Sequence, residues 1–239
     1  MKTERLWIRG GKVLNGEIEI QGAKNSVLPI LAASILNQEP VKLLRCPKLR
    51  DVEMSIKILK SLGCQTVWDG DDLIINAKYI NNWRVSEDLT RQMRSSVIFL
   101  GAILARFGKA VCSMPGGCEL GPRPIDLHLS GLREMGVEIR EDHGELNCET
   151  ARLRGCEIVL STPSVGATEN LMLAACGASG VTRISNAARE PEIIDLQDFL
   201  NACGADITGA GSDIIIINNN KNNNQAGELN NKLSGGNKK

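Results

Sequence analysis

Three stretches of the chain are apolar almost all round and long enough for helices: NSVLPILAASILN at 25–37, SSVIFLGAILARFG at 95–108 and ATENLMLAACGASG at 167–180. A helix without a polar face must be buried on most sides. All three are rich in Ala, Gly and Ser, which lets their backbones approach closely. Each is followed by a short β-type run (VKLLRC, AVCSMP, VTRISN) and a Pro-containing loop. A second helical stretch comes next, with a clearer polar face: DVEMSIKILKSLG, DLHLSGLREMG or IDLQDFLNACG. Each of these ends at a Gly (Gly63, Gly136, Gly204), and the alternation beyond it predicts two strands joined by a polar turn.

The same unit thus recurs three times, with a period of about 70 residues, too long for a solenoid repeat and right for a supersecondary module. The module reads helix, strand, helix, strand, strand, led in by one more strand. The candidates for that leading strand are GEIEIQ, ARLRGCEIVLS and LIINAKYI. Three copies put three buried helices at the centre, with sheets and amphipathic helices outside. The expected fold is therefore a threefold α/β assembly and not a doubly wound sheet. Residues 218–239 break the pattern: nine of the 22 are Asn and almost none is apolar. Such a segment cannot bury enough surface to offset its ordering entropy, and disorder is expected there.

Composition narrows the function classes. Apolar residues make up 42% of the chain and aromatics 3%, so the core must be aliphatic. Twenty-eight basic and 28 acidic residues cancel, which argues against a nucleic-acid binder. The opening MKTERLWIRG lacks the apolar region of a signal peptide, and no long apolar run predicts a membrane span. Eight cysteines include no CxxC pair, and only two histidines are available as co-ligands, so no metal site is expected. Most of the cysteines sit in apolar runs, which reads as buried, reduced thiols in a cytoplasmic protein.

Cys118 is the exception. It lies in Pro-Gly-Gly-Cys-Glu-Leu-Gly-Pro-Arg-Pro at 115–124, where three Gly and three Pro exclude helix and central strand. Arg123 is close in sequence and could favour a thiolate or bind an anion. The alternative is a turn that happens to contain a Cys. Two further places have anion-binding character. Gln21–Ser26 offers Lys24 and backbone N–H groups at the start of the first buried helix. Thr90–Ser96 offers Arg91 and Arg94 at the second; a solvated surface cation is the plainer reading of each. The third copy has Ser164, Val165, Gly166, Ala167 and Thr168 at the matching point, with hydroxyls and a Gly but no cation. Threefold pseudo-symmetry would gather these turns at one end, where a ligand is expected.

The motifs GAKNS, QMRSS, PGGCELGPRPIDLHLSGL, PSVGAT and NAAREPEI, in this order and spacing, resemble the enolpyruvyl transferases, and among them the UDP-N-acetylglucosamine 1-carboxyvinyltransferase family. The resemblance runs from about residue 5 to residue 217. It implies an inside-out α/β barrel lobe of three βαβαββ repeats over 22–217, with residues 1–21 belonging to a second lobe and 218–239 as a tail. The implied reaction moves enolpyruvate from phosphoenolpyruvate to the 3-hydroxyl of UDP-N-acetylglucosamine and releases phosphate, with no metal or organic cofactor.

By the same resemblance, Lys24 and Asn25 contact phosphoenolpyruvate, and Arg94 helps bind the nucleotide sugar or phosphate. Cys118 is the proton donor that also forms a covalent adduct and is attacked by fosfomycin. Arg123, Pro124, Ile125, Asp126 and Leu127 grip the uridine and phosphate side, and Ser164, Val165 and Gly166 form the diphosphate turn. A cation found just before that turn in some relatives is Thr162 here. Family members are about twice as long, and the second lobe supplies the expected general base. This chain alone is therefore expected to turn over slowly or not at all unless a separate second-lobe chain joins it. The competing expectations are a non-catalytic UDP-sugar-binding fragment and a relative of the shikimate-pathway transferase.

Overall fold

The structure is a computed structural model and describes residues 7–113 and 125–220, apart from the side chain of Arg94. Seven α-helices and ten strands are found among the described residues, in the order that the repeat predicts except for the leading strands and one extra short helix. The first module is α1 (Lys24–Ala33), β1 (Val41–Leu43), α2 (Arg50–Leu62), β2 (Gln65–Asp69) and β3 (Asp72–Asn76). After a short α3 (Glu87–Gln92) and a 3-10 turn (Arg94–Val97), the second is α4 (Ile98–Phe107), β4 (Lys109–Ser113), α5 (Asp126–Glu134), β5 (Glu138–Asp142) and β6 (Glu145–Glu149). The third is β7 (Glu157–Val159), α6 (Val165–Ala175), β8 (Gly180–Ser185), α7 (Pro191–Ala202), β9 (Ile207–Thr208) and β10 (Ile214–Asn219).

Each module closes its own sheet, with strand orders β1-β3-β2, β4-β6-β5 and β7-β8-β10-β9, all pairs antiparallel except β7 with β8. The Gly after each amphipathic helix takes a positive φ (Gly63 105°, Gly136 89°, Gly204 97°). This left-handed turn ends the helix and aims the chain into the next strand, a conformation that a side chain resists. The recurrence of Gly at these three positions therefore has a backbone cause.

The leading strands depart from expectation. Only β7, within ARLRGCEIVLS, is a true one; it lies parallel to β8. LIINAKYI is instead the closing strand β3 followed by a turn, and its Leu73 and Ile75 fill the first module's core. The second module's leading segment is Trp83–Val85, reduced to a parallel bridge between Arg84 and Val111. GEIEIQ forms no strand: residues 7–23 have no regular structure, and Trp7, Ile8, Val13, Leu14, Ile18 and Ile20 are exposed. Among the described residues the first sheet has no fourth member. The last strand also runs two residues past Ile217, because Asn218 and Asn219 continue the β10–β8 ladder. Asn219 Nδ2 donates to the carbonyls of Cys176 and Ala178. Residues 221–239 of the Asn-rich tail lie outside the described residues.

The three apolar helices α1, α4 and α6 pack on one another at the centre, while α2, α5 and α7 flank them. Leu31, Phe99, Leu100, Ile103, Leu104, Leu171 and Leu173 are fully or almost fully buried, so the core is aliphatic with a single large ring. Small residues set the spacing as expected. A Cβ on Gly101 of α4 would fall 2.1 Å from the Asn170 carbonyl oxygen of α6, and one on Gly177 would fall 2.7 Å from the Cα of Ala105. Of the seven described cysteines, Cys46, Cys64, Cys112, Cys148 and Cys176 are buried, and all seven are free. Burial pushes the Cys64, Cys112 and Cys176 thiols up to about 12 and those of Cys46 and Cys148 up to about 11. No described helix is long and apolar enough to cross a membrane.

Candidate functional site

All six long helices start at the same end of the molecule. Gly101 and Ala105 of α4 meet Asn170 and Gly177 in and after α6, in ascending order along both, so these helices are parallel. His128 and Gly131 of α5 meet Gly166 and Leu171 of α6 in the same sense. Asn25 donates to Glu192 and Ser26 to Asp195, while Asn37 reaches Cys203, which sets α1 parallel to α7. Lys24 pairs with Asp51, which joins the start of α1 to the start of α2. One end of the molecule therefore carries the N-termini of all six. Unpaired N–H groups and the positive ends of helix dipoles favour anions there.

The expected site residues divide between two parts of this rim. Lys24 opens α1; its Nζ lies 3.0 Å from Asp51 Oδ2 with both side chains solvated. Asn25 is held by its Nδ2, 3.2 Å from Glu192 Oε1 at the start of α7. In the second part, Ser164 caps α6 by accepting from the Ala167 N–H, and Val165 and Gly166 form its first turn. Ile125 precedes α5 and is buried, Asp126 opens that helix in solvent, and Leu127 packs partly against the core. Arg94 heads the 3-10 turn that leads into α4. Cys118, Arg123 and Pro124 lie outside the described residues.

Between the two parts stands a group of polar residues that the pattern of apolar helices concealed. Thr168, Glu169 and Asn170 are consecutive on α6 and buried in its midst. Thr168 Oγ1 accepts from the Ala188 N–H at 3.1 Å, tying α6 to the turn before α7. Glu169 is pushed up to about 8 by burial and, less, by the nearby charges of Glu192 and Glu190. It therefore holds its proton at neutral pH. Asn170 bridges the Gly101 N–H and the ring of His128. His128 is 6% exposed, and burial pulls it down to about 4, so the imidazole is neutral. Its Cε1–Nε2 edge faces Gly166, where a Cβ would stand 3.3 Å from Cε1 and 3.5 Å from Nε2. The sequence signal for this group was the run TEN inside an otherwise apolar helix. No cluster of three or more His, Cys, Asp or Glu among the described residues could hold a metal ion.

The family profile described as EPSP synthase (3-phosphoshikimate 1-carboxyvinyltransferase) matches residues 8–229. The chain is 54% identical, over 87% of its length, to UDP-N-acetylglucosamine 1-carboxyvinyltransferase 2 of Caldanaerobacter subterraneus subsp. tengcongensis. It is 52% identical, over 89%, to UDP-N-acetylglucosamine 1-carboxyvinyltransferase 1 of Carboxydothermus hydrogenoformans. It spans about half the length of the curated relatives it matches, 50% of each of these two. Among solved structures, the enolpyruvyl transferase NikO from Streptomyces tendae superposes with a TM-score of 0.76 at 24% identity, covering 87% of this chain and 49% of that one. EPSP synthase from Acinetobacter baumannii superposes with a TM-score of 0.66 at 18% identity, covering 84% and 46%. Those likenesses establish the fold: three modules around parallel central helices. With the profile covering nearly the whole chain, the fold and the sequence agree that this chain belongs to the EPSP synthase family of enolpyruvyl transferases.

Proposed function

We propose that this chain forms one wall of a carboxyvinyl transferase that moves enolpyruvate from phosphoenolpyruvate to the 3-hydroxyl of UDP-N-acetylglucosamine and releases phosphate. The observation that carries the reading is the convergence of six helix N-termini at the rim that also holds Lys24, Asn25 and the Ser164–Gly166 turn. Both substrates are strongly anionic, and their charge must be offset before an alcohol can approach the vinyl carbon. Lys24 and Asn25 hold phosphoenolpyruvate, Arg94 and Arg123 add positive charge, and Ser164, Val165 and Gly166 receive the diphosphate. Pro124, Ile125, Asp126 and Leu127 line the uridine side. Cys118 delivers the proton to C3 of phosphoenolpyruvate and can bond to it covalently. The names of the relatives at 54% and 52% identity support UDP-N-acetylglucosamine over shikimate 3-phosphate as acceptor. The placement is a cytoplasmic step of cell-wall synthesis.

The division of the chain follows from this reading. Residues 22–217 are one lobe, and residues 1–21 belong to a second. The exposed Trp7, Ile8, Ile18 and Ile20 support that assignment, since apolar side chains at such density are normally covered. The reading is tested by mass spectrometry after exposure to fosfomycin, with Cys118→Ala as control. One adduct, absent from the control, is the expected result. The seven described thiols are disfavoured as thiolates by burial, so labelling spread over them would contradict it. Enolpyruvate transfer to UDP-N-acetylglucosamine, and none to shikimate 3-phosphate, is expected once the second lobe is supplied; the reverse preference would sink the assignment.

A further inference from the structure

We propose that Asn170 is a positioning residue that holds the His128 ring in its Nε2–H form, so that a neutral imidazole donates a hydrogen bond at the Ser164–Gly166 turn. The argument starts from a backbone amide. The Gly101 N–H lies 2.7 Å from Asn170 Oδ1. A backbone N–H can only donate, so the atom it meets must be the amide oxygen. The orientation of the fully buried Asn170 side chain is thereby fixed, and its NH₂ group is the one 3.2 Å from His128 Nδ1.

An amide NH₂ has no lone pair to offer, so Nδ1 must accept. A neutral imidazole that accepts at Nδ1 carries its hydrogen at Nε2. The imidazolium would set an N–H against an N–H, which adds to the effect of burial in keeping the ring uncharged. Among the described residues Nε2 has no hydrogen-bond partner, and it stands on the edge of the ring that faces Gly166. Gly166 has no side chain to stand against that edge. The chain thus runs Gly101 backbone, Asn170, His128, α6 turn, and converts a contact between two central helices into a donor at the rim. The identity of the group that receives this bond, a diphosphate oxygen of the nucleotide sugar, rests on the function proposed above; the tautomer does not.

Nitrogen-15 NMR of the whole chain tests the first part directly. His128 and His143 are the only histidines, so two ring systems need assignment. Long-range correlations at neutral pH are expected to show His128 with a lone-pair shift at Nδ1 and a protonated shift at Nε2. A protonated Nδ1, or shifts averaged over the two ring nitrogens of His128, overturns the proposal whatever the ligand. The variant Asn170→Asp keeps an oxygen for the Gly101 N–H but puts a second oxygen opposite Nδ1. It is expected to move the proton to Nδ1 and to weaken UDP-N-acetylglucosamine by about tenfold in titration calorimetry. A moved proton with unchanged affinity rejects the role at the ligand. Failure of the unaltered chain to bind UDP-N-acetylglucosamine or UDP even with the second lobe supplied would remove the proposed function, while the wild-type tautomer still decides for or against the positioning role.

Discussion

Replacing Gly101 by alanine is expected to cost at least about 3 kcal/mol of stability, despite improving the local helix preference by about 1 kcal/mol. The new Cβ would fall 2.1 Å from the backbone oxygen of Asn170 and 2.7 Å from its Oδ1. A flexible side chain could swing away from such an intruder. A carbonyl within a central helix cannot move without moving the helix, and α6 is packed by α4, α5 and α7. The same shift would stretch the Gly101–Asn170 hydrogen bond, so packing and polar satisfaction fail together. Gly131→Ala makes the comparison informative. Its Cβ would meet the Leu171 side chain, with Cδ2 at 2.6 Å, and that side chain can change rotamer. A loss of about 1 kcal/mol is expected there. Urea unfolding of the two variants measures the difference; a Gly101→Ala protein within 1 kcal/mol of the parent would show that the central helices slide more freely than their spacing implies.

The second large effect is a pH dependence that Glu169→Gln should remove. Folded, Glu169 holds its proton up to about 8; unfolded, a glutamate releases it near its ordinary 4.5. Between these values the folded state binds more protons than the unfolded one. Stability from this group is therefore full below pH 4.5 and is lost as pH rises towards 8, by up to about 1.4 kcal/mol per pH unit. His128 acts with the opposite sign. Its folded value of about 4 lies below its ordinary 6.5, so stability from the ring is present above pH 6.5 and is lost as pH falls towards 4. The two slopes oppose each other from about pH 4.5 to 6.5, and only the Glu169 slope remains from there to about 8. Thermal unfolding across that upper window should show the parent weakening while Glu169→Gln stays level. The variant should be the more stable protein by several kcal/mol at pH 8. Parallel curves for the two proteins would mean that Glu169 is already ionised in the folded state.

Much of the architecture could be read from local pattern. The contrast between all-apolar and one-faced helices separated α1, α4 and α6 from α2, α5 and α7, because burial on all sides and burial on one side leave different periodicities. The glycine that follows each flanking helix marked the module boundary through its backbone conformation. What the pattern missed is non-local or short. Helix α3 spans six residues with a single partly buried leucine, too little for a period to show. The leading segment Trp83–Val85 is defined by two backbone hydrogen bonds to Val111 and by nothing in its own composition.

The candidate site divides in the same way. Lys24, Asn25 and the Ser164–Gly166 turn stood out because small, polar and cationic residues cluster at the starts of apolar helices. Their partners did not, since Asp51 lies 27 residues from Lys24, and Glu192 lies 167 from Asn25. The buried Thr168, Glu169 and Asn170 were passed over because the average character of their helix is apolar, and an average hides three consecutive polar residues. His128 lay inside a quoted motif, yet its role depends on Asn170, 42 residues away.

The first sheet's three strands leave the outer edge of Val41–Leu43 with no backbone partner among the described residues, where the other two modules have a parallel segment. Amide and carbonyl groups along such a border form a template for any extended peptide that reaches it. Lys42, in the middle of this strand, is the sort of residue that discourages intruders, but its charge is shared with Asp69 and Asp72. Leu44 beside it is open to water. The internal symmetry of the fold thus marks one seam as unfinished, and that seam is where stray chains at high concentration would first adhere.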